Sequence, residues 1–175
     1  MVNKTILLII TTIFIANSAF SLKVQKNKPG KVVEYKKYGF KLRVRKDYKH
    51  SEHNTKSERI KSHRWQKQGE SVILEIRCAR DFVHLHWHQL LPVYKQNTVD
   101  LYTSIKVEKE KSKSVLGRWV RFVHARAELK KGGSAKVILL IIKNKNTVYF
   151  VSIINSSNSG LSAEIKAMVN SLEFL

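Results

Sequence analysis

The 175-residue sequence contains 33 lysine and arginine residues against 13 acidic residues, a formal net charge of +20. Its single cysteine, Cys78, excludes an internal disulfide, so a hydrophobic core must supply the stability. The sequence contains no Gly-x-Ser-x-Gly nucleophile motif, and the charge favours anionic partners, although a generally basic proteome would produce the same excess.

The first residues, MVNKTILLIITTIFIANSAFS, are typical of a secretory signal peptide. Lys4 precedes an apolar stretch at residues 6–15, and Ala19-Phe20-Ser21 fits the small-x-small rule for cleavage. The alternative is a membrane anchor, but a spanning helix needs about 20 predominantly apolar residues and this stretch is shorter. We therefore expect residues 1–21 to be removed, leaving a secreted or periplasmic chain without a transmembrane segment.

The next part of the chain is strongly basic. Residues 22–31 are rich in lysine and contain Pro29-Gly30, which predicts a flexible basic arm. Residues 32–35 predict a short strand. Residues 40–46, FKLRVRK, alternate strictly between apolar and basic side chains, which predicts a half-buried strand. Its outer face would carry Lys41, Arg43 and Arg45, the candidate anion-binding residues.

The middle of the chain gives less regular patterns. Residues 47–68 are polar and are predicted mostly as a loop, which is long for a compact domain. Strands are predicted at residues 71–78 and 82–90, with Asp81 in the turn between them and Pro92 ending the second. The stretch NTVDLYTSIKVEKEKSK, from residue 97, has apolar residues at helical spacing, including Val99, Tyr102 and Ile105, and predicts a helix.

The last third of the chain has the clearest patterns. A three-stranded meander is predicted at residues 118–129, 135–143 and 147–154, with KKGG as its first turn. A final helix is predicted from about Leu161, with an apolar stripe that includes Ile165, Met168 and Val169. The element order predicts an α+β fold, an antiparallel sheet flanked by helices in an α/β/α sandwich.

Two segments resemble PsbP-like domains. KYGFKLRVRKDY resembles their opening, and the tail from GRWVRFVHARAEL through KVILLIIKNKNTVYFVSII to IKAMVNSLEFL resembles them more closely. The resemblance implies a single PsbP-like α/β domain over residues 32–175 and a binding or assembly role rather than catalysis. It supplies no site residue, and residues 48–68 and the high charge depart from the pattern of the family.

The stretch FVHLHWHQL places His84, His86 and His88 at every second position. In a strand these side chains would share one face, with neighbours about 6.6 to 6.8 Å apart. One adjacent pair could then hold a zinc or copper ion. A third ligand would come from another element, either His124 or one of the histidines between residues 47 and 68. The alternative is a polar sheet face that holds no ion.

The segment VHLHWH also resembles the His-x-His-Trp strand of α-type carbonic anhydrases. The chain is far shorter than that family requires, and the surroundings of His124 do not match a third-ligand strand. The sequence also offers no equivalent of the threonine–glutamate pair that orients the zinc-bound water. This second resemblance therefore adds no activity.

We therefore predict a secreted, non-enzymatic protein that binds an anionic partner through a basic surface. The partner would be an anionic polymer or surface, such as lipopolysaccharide, acidic polysaccharide or nucleic acid, or else another protein. The alternative is a transition-metal-binding protein or a metal-dependent enzyme centred on His84, His86 and His88.

Overall fold

The computed structural model describes residues 30–55, 57–98, 100–115, 118–157 and 162–175. The predicted signal peptide, most of the predicted arm, Val99 and Leu161 lie outside the described residues. The chain divides into a smaller unit, residues 1–47 with 161–175, and a larger unit, residues 48–160. The assignment of residues 32–175 to a single domain stays a prediction.

The described elements are ten strands and two α-helices, together with a short 3-10 turn at Lys36–Tyr38. In chain order they are β1 (Lys31–Tyr35), β2 (Phe40–Val44), β3 (Tyr48–Asn54), β4 (Ile60–Lys67), β5 (Val72–Arg80), α1 (Trp87–Gln96), β6 (Tyr102–Val115), β7 (Arg118–Leu129), β8 (Ser134–Asn144), β9 (Thr147–Asn155), α2 (Ala163–Asn170) and β10 (Glu173–Phe174).

In the smaller unit, β2 lies between β1 and β10 in an antiparallel sheet. The alternation predicted for β2 is confirmed, because Phe40, Leu42 and Val44 are buried. The hairpin turns at Gly39, whose φ of 73° is a left-handed conformation that favours glycine. Helix α2 contacts β2, and its predicted apolar stripe is buried.

The larger unit is a seven-stranded antiparallel sheet in the order β3-β4-β5-β9-β8-β7-β6. The predicted meander is confirmed as β7, β8 and β9. Strand β8 is largely buried on both faces, as its continuous apolar sequence predicts. Helix α1 covers one face of the sheet, and Leu90 and Tyr94, one helical turn apart, are buried in the core there.

Three predicted elements in this unit are wrong. Residues 47–68 are not mostly a loop but contain the hairpin of β3 and β4. The stretch from residue 82 is not a strand but a loop followed by α1, and Pro92 lies inside that helix. The stretch from residue 102 is not a helix but the long strand β6.

The described residues thus form a β-rich antiparallel fold with two short helices. Neither described helix is long and apolar enough to cross a membrane. The helix-flanked sandwich stays a prediction.

Candidate anion-binding surface

Two of the three cations predicted to bind anions have carboxylate partners within the smaller unit. Lys41 Nζ lies 3.0 Å from Glu173 Oε2, and Arg45 Nη1 lies 2.6 Å from Glu164 Oε1. The side chain of Arg43 is exposed. An anion would have to displace a carboxylate at Lys41 and at Arg45, and anion binding by these residues stays a prediction.

A second row of cations lies on β6, which forms one edge of the larger sheet. Beyond a bulge between Val107 and Lys109, the register places Lys109, Lys111 and Lys113 on one face. All three are exposed, with neighbours about 6.8 Å apart along the strand. We call these three residues the lysine ladder. No ion pair between described residues includes any of them.

The glutamates of β6 have arginine partners on β7. Glu110 forms an ion pair with Arg121, and Glu108 Oε1 lies 3.4 Å from Arg126 Nε. The register pairs Glu110 with Val123, a core residue beneath α1, so Glu110 lies on the face opposite the lysine ladder. Glu108, the extra residue at the bulge, instead reaches Arg126 on the same face as the ladder.

His124 lies on the same face as the ladder, directly across from Lys109. Burial lowers the pKa of His124, and the positive charges of Lys111 and Lys109 lower it further. His124 faces away from Val123 and Ala125, which pack in the core with α1. It is therefore separated by the sheet from the three histidines with which it was predicted to share a metal ion.

The lysine ladder runs towards a different edge of the sheet, the one formed by strand ends and turns rather than by the outermost strand. Arg80 N donates to Arg59 O at 3.2 Å, and Asp81 N donates to Asn146 O at 3.0 Å, which ties three chain segments together. Exposed cations at this edge are Arg59, Arg80, Lys113 and Lys145, which we call the basic end. Two exposed acids, Glu58 and Asp81, lie at the same edge.

The same edge carries an exposed aromatic side chain. Of the described large hydrophobic residues three are exposed, and Trp119, at the start of β7, is the most exposed at 59%. Nearby, Lys143 Nζ donates to Val83 O at 2.7 Å and to Leu85 O at 2.5 Å. The same ammonium lies 5.1 Å from the centre of the Trp87 ring. Lys143 therefore holds the loop before α1 against the sheet.

The three predicted metal-binding histidines are all exposed on this loop and on the first turn of α1. His86 immediately precedes the helix, and its N–H donates to Gln89 Oε1 at 2.8 Å. The rings of His86 and His88 are stacked, 5.7 Å between centres and 7° between planes. The strand geometry assumed for a shared ion is wrong. No group of three or more His, Cys, Asp or Glu within the described residues could hold a metal ion.

Two other histidines do come together, in the hairpin of β3 and β4. His50 Nε2 lies 3.2 Å from His63 Nδ1, and the two rings are stacked. His50 also contacts the Trp65 ring. Burial lowers the pKa of both histidines, that of His63 to about 4. At neutral pH both rings are therefore uncharged, with His63 buried in the interior and His50 exposed above it.

A buried ionic cluster that was not predicted from the sequence lies beneath α1. Glu75 is fully buried and accepts hydrogen bonds from Ser62, Arg64 and Arg77, with Arg64 Nε at 2.7 Å and Arg77 Nε at 2.9 Å. Burial alone would raise the pKa of Glu75, but the charges and hydrogen bonds of the two arginines lower it below its usual value.

The loop after α1 completes this cluster. Asp100 forms ion pairs with Arg64 and with Arg77, the second at 3.3 Å, and Arg77 also donates to the Asn97 carbonyl. Glu75 and Arg77 stand two positions apart in an otherwise apolar strand, which could have signalled a buried pair. The cluster balances two arginines with two carboxylates, so it contributes little to the basic surface.

Cys78 is buried on β5, and burial raises the pKa of its thiol. A thiol that stays protonated is a poor nucleophile. Cys78 therefore behaves as a packed strand residue, as its apolar neighbours in the sequence indicate.

No family model and no curated protein sequence matches this chain. The fold, however, matches the solution structure of cyanobacterial PsbP (CyanoP) from Synechocystis, with a TM-score of 0.64 and 6% sequence identity. That match covers 90% of this chain and 99% of the other. A protein of unknown function from Pseudomonas aeruginosa matches with a TM-score of 0.40 and 9% identity, over 74% of this chain and 84% of the other. The first match shows that the chain has a PsbP-like fold.

Proposed function

We propose that this protein is a secreted, non-enzymatic binding protein that engages an anionic partner through the lysine ladder and the basic end. The lysine ladder carries the proposal, because its three exposed ammonium groups lie on one face and no described carboxylate pairs with them. Such groups hold only mobile counterions, and exchange of those counterions for a polyanion favours binding. Lys41, Arg43 and Arg45 would contribute less, since two of them must first release a carboxylate.

A ladder of lysines recognises charge rather than sequence. Lysine presents a compact charge on a flexible stem, unlike the planar fork of arginine. Contacts to phosphate position a protein on a polyanion but carry no sequence information. We therefore expect similar affinity for polyanions of equal charge density.

The test replaces the ladder and compares it with a matched control. The ladder variant carries Lys109→Gln, Lys111→Gln and Lys113→Gln. The control carries Lys130→Gln, Lys131→Gln and Lys136→Gln, three exposed lysines at or towards the opposite edge of the sheet, with the same change in net charge. Binding to a duplex DNA oligomer is measured by fluorescence anisotropy over a range of salt concentrations.

We expect the ladder variant to reduce the slope of log K against log salt by about 2 to 3, one charge contact for each lysine removed. The control should change the slope by less than about 1. Equal slopes for the two variants would show that only net charge matters. Failure of the unaltered chain to bind duplex DNA or heparin at about 0.15 M salt, where the screening length is about 8 Å, would refute the proposal.

The location forms part of the same proposal. Export should remove residues 1–21, so the chain recovered from a periplasmic extract or culture medium should begin at Leu22. Intact mass and N-terminal sequencing measure this directly. Recovery of a chain that keeps its first 21 residues would contradict the predicted cleavage.

A further inference from the structure

The basic end differs from the rest of the cationic surface because it includes Trp119. An indole that is 59% exposed leaves a large apolar surface in water. The register pairs Trp119 with Ser114, next to Lys113, so the indole and the last ammonium of the ladder lie at the same edge. An apolar group and several cations therefore stand together at one edge of the larger unit.

The arrangement of these groups restricts the shape of the partner. Lys113 pairs with Val120, and the next residue, Ser114, pairs with Trp119. Because successive residues of a strand point to opposite faces, Lys113 and Trp119 lie on opposite faces of β6 and β7. A strand-like ligand in a groove on one face would reach only one of the two. A broad surface placed against the edge would reach both, together with Lys145 from the turn between β8 and β9 and Arg59 from the segment before β4, farther along the sheet.

We propose that the basic end and Trp119 dock this protein onto the surface of an anionic phospholipid bilayer. This inference rests on the proposed function and narrows the anionic partner to lipid phosphate groups on a plane. The cations would contact headgroup phosphates, within the range of the negative surface potential. The indole would lie at the headgroup level, where its ring is among apolar chains and its N–H remains hydrated.

The loop before α1 supports the same docking edge. Phe82, Val83, Leu85 and Trp87 are only partly buried against the core, and Lys143 holds two of their carbonyls. This fixed, partly apolar loop lies at the same edge as Trp119. An edge with fixed apolar groups and surrounding cations suits shallow insertion among headgroups.

The test uses the purified chain, its N-terminus determined by intact mass, so that all variants share the same start. Vesicles of phosphatidylcholine with about 30% phosphatidylglycerol are compared with phosphatidylcholine alone, since the attraction depends on anionic lipid. Bound fraction is measured by co-sedimentation. Insertion is measured by quenching of tryptophan fluorescence with brominated acyl chains.

We expect binding to the anionic vesicles only, and quenching of the intrinsic fluorescence. Trp65 is fully buried and Trp87 is partly buried against the core beneath Lys143, so the larger share of the quenching should come from Trp119. Trp119→Ala should weaken vesicle binding on the order of tenfold and remove most of the quenching. Trp119→Tyr should restore most of the affinity, because tyrosine also prefers the interface. Neither change should alter the salt slope for duplex DNA, since neither alters charge.

Each other outcome has a definite meaning. Binding to DNA and heparin but not to anionic vesicles would overturn docking and leave the proposed function standing. Unchanged vesicle binding by Trp119→Ala would overturn the role of the indole and with it the inference. Loss of single-stranded DNA affinity in Trp119→Ala, with vesicle binding intact, would indicate base stacking instead. Failure to bind any polyanion would remove both proposals.

Discussion

Strands β5 and β6 both carry charged residues, but the structure uses the charges in opposite ways. In β5, Glu75 and Arg77 are buried and paired with charges of opposite sign. In β6, an edge strand, the lysine ladder is exposed and has no described ion-pair partner. Position in the sheet accounts for the difference, because a covered strand must neutralise each charge whereas water can solvate the charges of an edge strand. Of these two strands, the edge strand exposes a row of cations, whereas β5 exposes only Arg80 at its end.

The sharpest test of this comparison changes one glutamate in each strand. Glu75→Leu leaves two largely buried arginines with Asp100 as their remaining carboxylate, and should lower the free energy of unfolding by about 3 to 5 kcal/mol. Glu110→Leu breaks only the partly exposed pair with Arg121, and should cost less than about 1 kcal/mol. Urea denaturation at pH 7 measures both.

A double variant sharpens the result. Adding Arg77→Met to Glu75→Leu removes one of the two arginines that have lost Glu75 as a partner, and leaves Arg64 paired with Asp100. Part of the lost stability should return, because apolar replacement of a buried ion pair is often tolerated. A double variant less stable than Glu75→Leu alone would show that Arg77 is held mainly by the Asn97 carbonyl and not by Glu75.

Acid should destabilise the buried groups in two steps. The pKa of His63 is lowered from 6.5 to about 4, so the stability that its neutral form provides is lost as pH falls from about 6.5 towards 4, on the order of 2 kcal/mol. Glu75 and Asp100 also have lowered pKa values. Their contribution is complete above the unfolded values near 4 and is lost below them. Urea denaturation at a series of pH values measures both steps.

The matched control for the first step is His63→Phe, which keeps a planar ring beside His50 and Trp65. This variant should lose most of the decline between pH 6.5 and 4 and keep the decline below 4. An unchanged profile in this variant would assign the first step to other groups.

The sequence predicted the elements whose burial follows strand or helix periodicity. Strands β7, β8 and β9 were predicted because their sequences are long, apolar and separated by turn residues. Strand β4 was missed because Ser62, His63 and Arg64 are buried through polar partners on other strands. Such partners cannot be read from a single segment.

Two other errors have local physical causes. In β6, a register shift after Tyr102 adds a residue, so Tyr102 and Ile105 reach the same face at a spacing of three, which imitates a helix. The alternating histidines arise where a loop meets a helix, since His84 lies in a turn, His86 precedes α1 and His88 lies in its first turn. The lysine ladder was missed because the segment was predicted to be a helix, in which residues two positions apart do not share a face.

The cations of β2 provide a smaller test on the smaller unit. Replacing Lys41, Arg43 and Arg45 with glutamine removes the same charge as the ladder variant. Because Lys41 and Arg45 already pair with carboxylates, the salt slope for duplex DNA should fall by only about 1. Anisotropy titrations on the two triple variants give the comparison. A slope change equal to that of the ladder would show that the β2 ion pairs open freely on binding.

The histidines should give the smallest effect. Ring-nitrogen lone pairs lie in the ring plane, so the parallel rings of His86 and His88 cannot direct them at one ion without rotating. A zinc ion needs its nitrogen ligands at about 2.0 to 2.1 Å, and His124 lies on the far face of the sheet from α1. Calorimetry on the metal-free, untagged chain should therefore show zinc or copper binding no tighter than about micromolar, an affinity near 8 kcal/mol. Alanine at His84, His86 or His88 should have equal and small effects, as in an exposed histidine cluster. One ion per chain at submicromolar affinity, abolished by His86→Ala, would instead establish a metal site that forms only when the rings reorient around the ion.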